Sequence, residues 1–261
     1  NGYYKNDNWR HYKDLKNRFY IKRLSLLYIK QKKEEKNRIK EYLDKFIDNI
    51  YVDEFQDFIG NDFNLLLDIT KCKHTNIILV GDYYQSGVSV NAKTRSCNPY
   101  KKDYDDYIKF LIEKNLNVDI DTLNGSYRCP VKTCKFISDK LGISICSKSD
   151  DNESRIIFLN DFDEINRILN DDSVVKLFWN SKSKGYNFFS NVNKWSYSKG
   201  DTYDSTCVVL TDSTSSLLNN KIDFLKKRKI LNSLYVALTR SKGNTYIISS
   251  DKLKYYVNNT K

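Results

Sequence analysis

The sequence predicts an α/β fold built on parallel strands, and three observations lead to this prediction. Short apolar runs recur along the chain, and each ends in a polar or glycine-containing loop. Stretches with helical spacing of apolar residues separate these runs, an alternation typical of α/β proteins. With 261 residues and 40% apolar content, the chain is also long enough to bury a core in one large domain or two small ones.

The predicted elements follow in chain order. Strands are predicted at residues 49–52, 77–80, 155–159, 174–179, 206–210 and 245–248. Helices are predicted near residues 62–69, 104–114, 131–141 and 233–240. A domain joint is predicted near residues 119–122, which divides the chain into domains 1–120 and 121–261.

An amphipathic helix is predicted before the first strand. Its apolar residues recur at helical spacing and should share one buried face: Ile39, Tyr42, Leu43, Phe46 and Ile47. The lysines and arginines between them should form a solvated face, which we favour over a nucleic-acid contact.

Composition narrows the function classes. Lys and Arg number 44 against 33 Asp and Glu, and the net charge of +11 favours a polyanionic partner, either nucleic acid or an anionic membrane surface. Apolar runs are too short for a membrane span and no secretion signal is visible, so we expect a cytoplasmic or nucleoid-associated protein, in the host cytoplasm if viral. Six scattered cysteines without C-x-x-C spacing favour reduced thiols over a zinc site or disulfides.

Polar side chains follow the first two predicted strands. Asp53 and Glu54 come directly after the first strand, where a hard cation could bridge them to phosphate oxygens. Gln85 follows the second strand, where an amide could sense a phosphate or position a water. Either segment taken alone is also compatible with an ordinary turn.

Three further segments carry groups suited to nucleotides. Tyr127 offers an aromatic face for a base, and Arg128 offers a guanidinium for a bidentate phosphate contact. The segment Ser-Tyr-Ser-Lys-Gly-Asp-Thr-Tyr-Asp at 196–204 precedes a strand, and a helix-like segment at 233–240 ends with Arg240.

These five segments, in this order, resemble motifs II to VI of superfamily-one helicases, over about residues 50–248. Segments 53–57 and 235–240 are most similar to the UvrD/Rep group. Segment 196–204 is more similar to the compact branches of the superfamily, which include viral members. The resemblance implies a RecA-like P-loop NTPase fold with two RecA-like domains, the first one incomplete.

The resemblance also implies roles for residues, with ATP and Mg²⁺ as cofactors. Asp53 would hold Mg²⁺, Glu54 would orient or deprotonate the attacking water, and Gln85 would report the γ-phosphate. Tyr127 would stack on the adenine, and Arg128 and Arg240 would act as arginine fingers. Three residues of motif V would lie near the nucleotide: Lys199, Gly200 and Thr202.

Single-stranded nucleic acid is the implied partner, with DNA favoured over RNA and no membrane. Tyr84, Trp195 and Ser196 lie in or beside motif loops and are the candidate strand contacts. Trp179 ends an apolar strand, where packing is an equally good interpretation. Thr202 replaces the family's Glu and Ser196 its His, which puts the ribose contact of that Glu in doubt.

The 261 residues contain no G-x-x-x-x-G-K-[ST] loop, the element that grips the β- and γ-phosphates. Because the first residue is Asn and no methionine occurs, we expect an N-terminal remainder of the same polypeptide, or a separate chain, to supply this loop. The fragment alone should then be inactive. The alternative is a catalytically inactive helicase-fold module that binds nucleic acid or regulates a partner.

Overall fold

The computed structural model describes residues 5, 8–88, 98–218, 225 and 227–260. The chain divides into two compact units. Unit 1 comprises Asn1–Tyr83 and Asn91–Val118, and unit 2 comprises Tyr84–Val90 and Asp119–Lys261. The prediction of an α/β fold with parallel sheets flanked by helices is confirmed.

Among its described residues, unit 1 contains two strands and four α-helices: α1 (Leu24–Ile29), α2 (Lys33–Phe46), β1 (Asn49–Val52), α3 (Asn61–Ile69), β2 (Asn76–Leu79) and α4 (Tyr104–Glu113). β1 and β2 pair in parallel, with Asn49 opposite Asn76 and Val52 opposite Leu79. Their carboxyl ends therefore lie side by side, and the predicted acidic turn and the following loop meet at one edge of this sheet.

The apolar face of α2 differs from the prediction. The predicted helix is present, but its predicted buried face is wrong: Tyr42 and Phe46 are more than half exposed, and α2 buries no residue. Periodicity predicts that apolar residues share a face, but it does not say whether another element covers that face.

Unit 2 is built on a five-stranded, wholly parallel sheet with the order β5-β9-β8-β6-β7. Its strands are β5 (Ile156–Phe158), β6 (Val174–Phe178), β7 (Val192–Lys194), β8 (Ser205–Val209) and β9 (Thr245–Ile248), and a separate parallel pair comprises β3 (Gly125–Ser126) and β4 (Cys146–Ser147). Its helices are α5 (Val131–Leu141), α6 (Phe162–Leu169), α7 (Arg228–Leu238) and α8 (Ser250–Asn259).

Helices cover both faces of this sheet. α5 and α7 pack on one face through a cluster that includes Ile137, Leu234 and Leu238. α6 and α8 pack on the other through a cluster that includes Ile168 and Leu253. Successive side chains of a strand point to opposite faces, so a sheet covered on both sides needs the uninterrupted apolar runs from which the strands were predicted.

The core of unit 2 contains a charged side chain on a strand. Lys176, in the middle of β6, is fully buried, and its Nζ donates to the backbone oxygen of Asp171 at 2.6 Å. Burial lowers the pKa of Lys176, since the charged form loses its hydration. Across the part of the chain that the structure describes, no helix combines the length and apolar character needed to cross a membrane.

Candidate functional site

The turn after β1 holds the two predicted carboxylates in a constrained conformation. Asp53 is exposed, and its Oδ1 accepts a hydrogen bond from the backbone N–H of Glu54 at 2.8 Å. Glu54 adopts a left-handed conformation with φ 53° and ψ 39°, which is uncommon for a residue with a side chain. Strain of this kind concentrates at functional sites, where the surrounding structure holds it in place.

Gln56 links this turn to the loop after β2. It is buried; its Nε2 donates to the Glu54 carboxylate, and its Oε1 accepts from the backbone N–H of Asp82 at 2.9 Å. Gly81 permits this approach, because a Cβ at that position would lie 2.5 Å from Oε1 of Gln56. Gln56 is not among the site residues predicted from the sequence. Its position two residues after Glu54, the candidate general base, could have indicated it.

The loop that carries Gln85 lies with unit 2. Asn232 of α7 donates from Nδ2 to the backbone oxygen of Ser86 at 2.9 Å and to its hydroxyl at 3.2 Å. Tyr84 packs edge-on against Tyr235, with ring centroids 6.1 Å apart. Through these contacts α7 positions the residues on both sides of Gln85.

Three predicted motifs of unit 2 meet at the end of α7. The Thr239 backbone oxygen accepts from Nη1 of Arg128 at 3.3 Å and from Sγ of Cys129 at 3.5 Å. The Arg240 backbone oxygen accepts from the backbone N–H of Tyr203 at 2.9 Å. Segments at 127–130, 196–204 and 233–240, which are distant in sequence, are therefore joined by hydrogen bonds.

The two candidate arginines differ in how they are held. Arg240 is buried, and its guanidinium donates to Val236 O at 2.8 Å and to Thr239 Oγ1 at 2.8 Å. Arg128 is half-buried, and its Nε is shielded from water without a hydrogen-bond partner among the described residues. An unsatisfied buried donor of this type is costly, and an arriving anion would satisfy it.

Electrostatic effects at this junction reach a buried thiol. A hydrogen bond from Cys134 lowers the pKa of Cys129, and the nearby guanidinium groups of Arg128 and Arg240 act in the same direction. A neighbouring tyrosine shows the opposite kind of shift: burial raises the pKa of Tyr203 to about 12, and the Asp201 carboxylate, which accepts from its hydroxyl at 2.6 Å, adds to this. The junction therefore lowers the pKa of the Cys129 thiol and raises that of the Tyr203 phenol.

The remaining nucleotide candidates lie at the surface of unit 2. Tyr127 is 78% exposed, with the Lys148 ammonium 5.7 Å from its ring centroid. Gly200 adopts φ +89° in the loop, Lys199 is half-buried beside it, and Thr202 is exposed. An exposed ring and an exposed hydroxyl are both accessible to a ligand.

The prediction that Trp195 contacts a strand is wrong. Trp195 is fully buried in the α5–α7 face of the core, and its Nε1 donates to Leu177 O at 3.0 Å. The sequence placed it next to a motif loop, but its indole packs edge-on against Trp179 instead. Of the other two candidates, Ser196 is half-exposed and Tyr84 is half-buried.

A cavity of about 300 Å³ opens at the carboxyl edge of the unit 2 sheet. It lies beside the ends of β6 and β8, and its lining includes Trp179, Asn180, Lys182, Lys184, Asp212 and Lys254. Lys254 pairs with Asp212 at 2.9 Å, which leaves Lys182 and Lys184 as excess positive charge. The cavity therefore offers an aromatic ring, an amide and cations at the edge where parallel sheets bind ligands.

The acidic turn of unit 1 fits a magnesium ion of the type held by one or two carboxylates and substrate phosphates. Asp53 has one carboxylate oxygen without a hydrogen bond among the described residues, and Glu54 stands next to it. No cluster of three His, Cys, Asp or Glu side chains suited to a metal occurs in the described ranges. Nucleotide phosphates and water would supply the remaining oxygen ligands.

The described residues thus combine parallel sheets, carboxylates directly after one strand, and arginines from two segments that meet at the end of a helix. A family model described as the viral superfamily 1 RNA helicase core domain matches residues 12–249. The chain belongs to this family. No curated protein matches the chain.

The solved structures that match the chain include arterivirus helicases. Nonstructural protein 10 of an arterivirus is 15% identical, with 79% of this chain and 40% of that chain covered and a TM-score of 0.47. A complex of that helicase with DNA gives 16% identity, 76% and 38% coverage and a TM-score of 0.44. The PRRSV nsp10 helicase is 14% identical, with 77% of this chain and 36% of that chain covered and a TM-score of 0.30. The chain spans about 40% of the length of the first of these proteins.

Proposed function

We propose that this chain is the motif II to VI part of an ATP-driven helicase or translocase that moves along single-stranded nucleic acid. The observation that carries the proposal is the junction at Thr239 and Arg240, where three motifs predicted from sequence are joined by hydrogen bonds. This arrangement brings Arg128 and Arg240 to one place in unit 2.

On the nucleotide side, Asp53 would bind Mg²⁺ together with the nucleotide phosphates, and the ion would neutralise charge that develops on them. Glu54, held by Gln56, would orient or deprotonate the attacking water. Gln85 would sense the γ-phosphate, and its neighbour Ser86 is bound by Asn232.

Arg128 and Arg240 would stabilise charge on the transferred phosphoryl group, an effect worth about 10³ to 10⁵ in turnover. Arg128 is the better placed of the two to bind a phosphate, because its Nε has no hydrogen-bond partner among the described residues. Arg240 would first have to release Val236 O and Thr239 Oγ1. Tyr127 would stack on the base, with Lys199, Gly200 and Thr202 close to the nucleotide.

On the strand side, the cavity at the carboxyl edge of unit 2 supports a nucleic-acid site, with Trp179 for a base and Lys182 and Lys184 for phosphates. Tyr84 and Ser196 stay candidates for the same role. The family is described for RNA helicases. The preference for DNA over RNA and the similarity to the UvrD/Rep group stay predictions. The phosphate-gripping loop, absent from these residues, would come from another segment or chain.

The test is ATP hydrolysis by the complete protein, with and without single-stranded RNA or DNA. Glu54→Gln and Arg240→Ala should each reduce stimulated turnover by about a thousandfold while strand binding persists. Arg167→Ala, on the exposed side of α6, is the matched control and should hydrolyse ATP as the wild type does.

The outcomes separate the proposal from its alternative. If the complete protein binds strands but hydrolyses no ATP with either nucleic acid, the motor assignment fails and an inactive binding or regulatory module replaces it. If hydrolysis occurs but survives both substitutions, the assigned catalytic roles fail.

A further inference from the structure

The N-terminal segment of unit 1 forms a basic hairpin outside every motif used so far. Backbone bonds join Tyr20 N to Tyr12 O at 2.9 Å and Asp14 N to Arg18 O at 2.8 Å, and Asn17 takes the left-handed conformation that the turn requires. We define the basic hairpin as residues 8–24.

Charge on the basic hairpin is strongly one-sided. The segment contains six Lys and Arg residues and one acidic residue, Asp14, so it contributes +5 to the net charge of the chain. Asp14 is already neutralised, because it accepts from the Arg18 guanidinium at 2.7 and 2.8 Å and from two backbone N–H groups of the turn. The surface therefore attracts anions.

Aromatic rings alternate with these cations at the surface. Trp9 is 60% exposed, Phe19 48% and Tyr20 43%. The Lys13 ammonium lies 4.6 Å from the Phe19 centroid and 6.0 Å from that of Trp9, and the Arg23 guanidinium lies 4.6 Å from that of Tyr20. Exposed rings interleaved with cations are the combination that binds single strands, in which bases stack and phosphates pair.

The exposed rings of the hairpin take no part in the contacts that hold it together. Its own Tyr12 is buried, and Nη1 of Arg23 donates to His11 O. Trp9 is not part of the core, and its 3₁₀ turn is capped by the Asn8 side chain rather than by the indole.

We propose that the basic hairpin is a second contact surface for single-stranded nucleic acid, with Trp9 stacking on a base and Lys13 and neighbouring cations pairing with phosphates. The inference rests on the proposed function only for the identity of the ligand, since it uses none of the motif residues. An anionic membrane is the competing partner, because Leu15 and Ile21 are also exposed. The hairpin lacks the long amphipathic helix with which proteins usually lie on membranes.

The experiment measures binding of the chain to fluorescein-labelled oligothymidylate, to an abasic oligomer of equal length and to vesicles of anionic lipid. Trp9→Ala should weaken oligothymidylate binding about tenfold, with little effect on the abasic oligomer, and Trp9→Phe should restore most of the affinity. Lys13→Gln should weaken binding to both oligomers and reduce the salt dependence by about one counterion.

The matched control is Tyr42→Ala with Phe46→Ala on α2, where Lys45 lies 5.2 Å from the Phe46 ring and both rings are more exposed than half. These changes should leave affinity within about twofold. Thermal unfolding of each variant verifies that the fold is intact.

Each result decides one question. If wild type binds the oligomer and Trp9→Ala binds equally well, the hairpin inference is overturned while the proposed function stands. If wild type binds no oligomer, the hairpin inference is overturned, and the proposed function is decided separately by ATP hydrolysis of the complete protein. If Trp9→Ala affects only vesicle binding, the surface belongs to a membrane and the inference is overturned in favour of that partner.

Discussion

The hydrogen bonds between Asn232 and Ser86 allow a prediction of stability worked from the structure. Asn232 is fully buried and Ser86 is 4% exposed. Asn232→Ala removes both donor contacts, at 2.9 and 3.2 Å, and leaves the Ser86 carbonyl and hydroxyl without them. Leaving buried polar groups unsatisfied costs about 1–3 kcal/mol. The substitution also removes the Oδ1 of Asn232, which has no partner among the described residues.

We therefore expect Asn232→Ala to lower the free energy of unfolding of unit 2 by about 2 kcal/mol, a large part of a typical domain stability. Urea unfolding followed by tryptophan fluorescence measures this, since Trp195 is fully buried in unit 2. Asn259→Ala is the control, because Asn259 is exposed at the end of α8 and its amide donates to Tyr255 O, one turn earlier in the same helix. It should cost less than about 0.5 kcal/mol.

Amide exchange tests the functional part of the same reasoning. The loss of the Asn232 bonds should make the backbone amides at 84–88 exchange about thirtyfold faster, as a 2 kcal/mol easier local opening requires. The reasoning is refuted if Asn232→Ala is no less stable than Asn259→Ala, or if exchange at 84–88 is unchanged.

Three further predictions concern other buried or strained groups. Lys176→Met should raise stability at neutral pH, because the lowered pKa of Lys176 means that the unfolded chain binds a proton more tightly than the folded chain does. Wild-type stability should therefore rise as the pH increases towards the ordinary lysine pKa of 10.5. Thermal melts over pH 7–10 should lose this slope in the variant, and a retained slope would contradict the prediction. Asp44 accepts backbone N–H groups of Lys73, His74 and Thr75, each at 2.9 Å, which hold its pKa below the usual 3.8. The stabilisation that Asp44 contributes is present above pH 4 and is lost on acidification. Asp44→Asn should therefore be less stable than the wild type at neutral pH, and its circular dichroism signal should fall less than that of the wild type in acid. Gly81→Ala should destabilise unit 1 by about 1–3 kcal/mol in urea, because its Cβ would lie 2.5 Å from Gln56 Oε1 and 3.1 Å from the backbone nitrogens of Phe55 and Gln56; an unchanged midpoint would show that the loop gives way.

The strands of the fold could be predicted from the sequence because a parallel sheet buried on both faces needs unbroken apolar runs. β9 occupies the predicted residues, β6 ends one residue before its predicted run does, and β8 begins and ends one residue before its predicted run. α7 ends at Leu238, two residues before the predicted end. The backbone oxygens of Thr239 and Arg240, which follow the helix, accept hydrogen bonds from Arg128 and Tyr203.

The features that escaped prediction depend on long-range contacts. Nothing local distinguishes the buried Trp195 from an exposed ring beside a loop, and only the packed core decides between them. Gln56 became a candidate once the approach of Gly81 and Asp82 was visible. The placement of the loop around Gln85 in unit 2 depends on Asn232, almost 150 residues away in the chain.

Strand displacement by the complete protein tests the central claim, that these motifs form a nucleic-acid motor, most directly. A partly single-stranded duplex of RNA or DNA should be separated with ATP, and not with a non-hydrolysable ATP analogue or by Glu54→Gln. Displacement that needs no hydrolysis, or hydrolysis that never moves a strand under any of these conditions, would contradict the account.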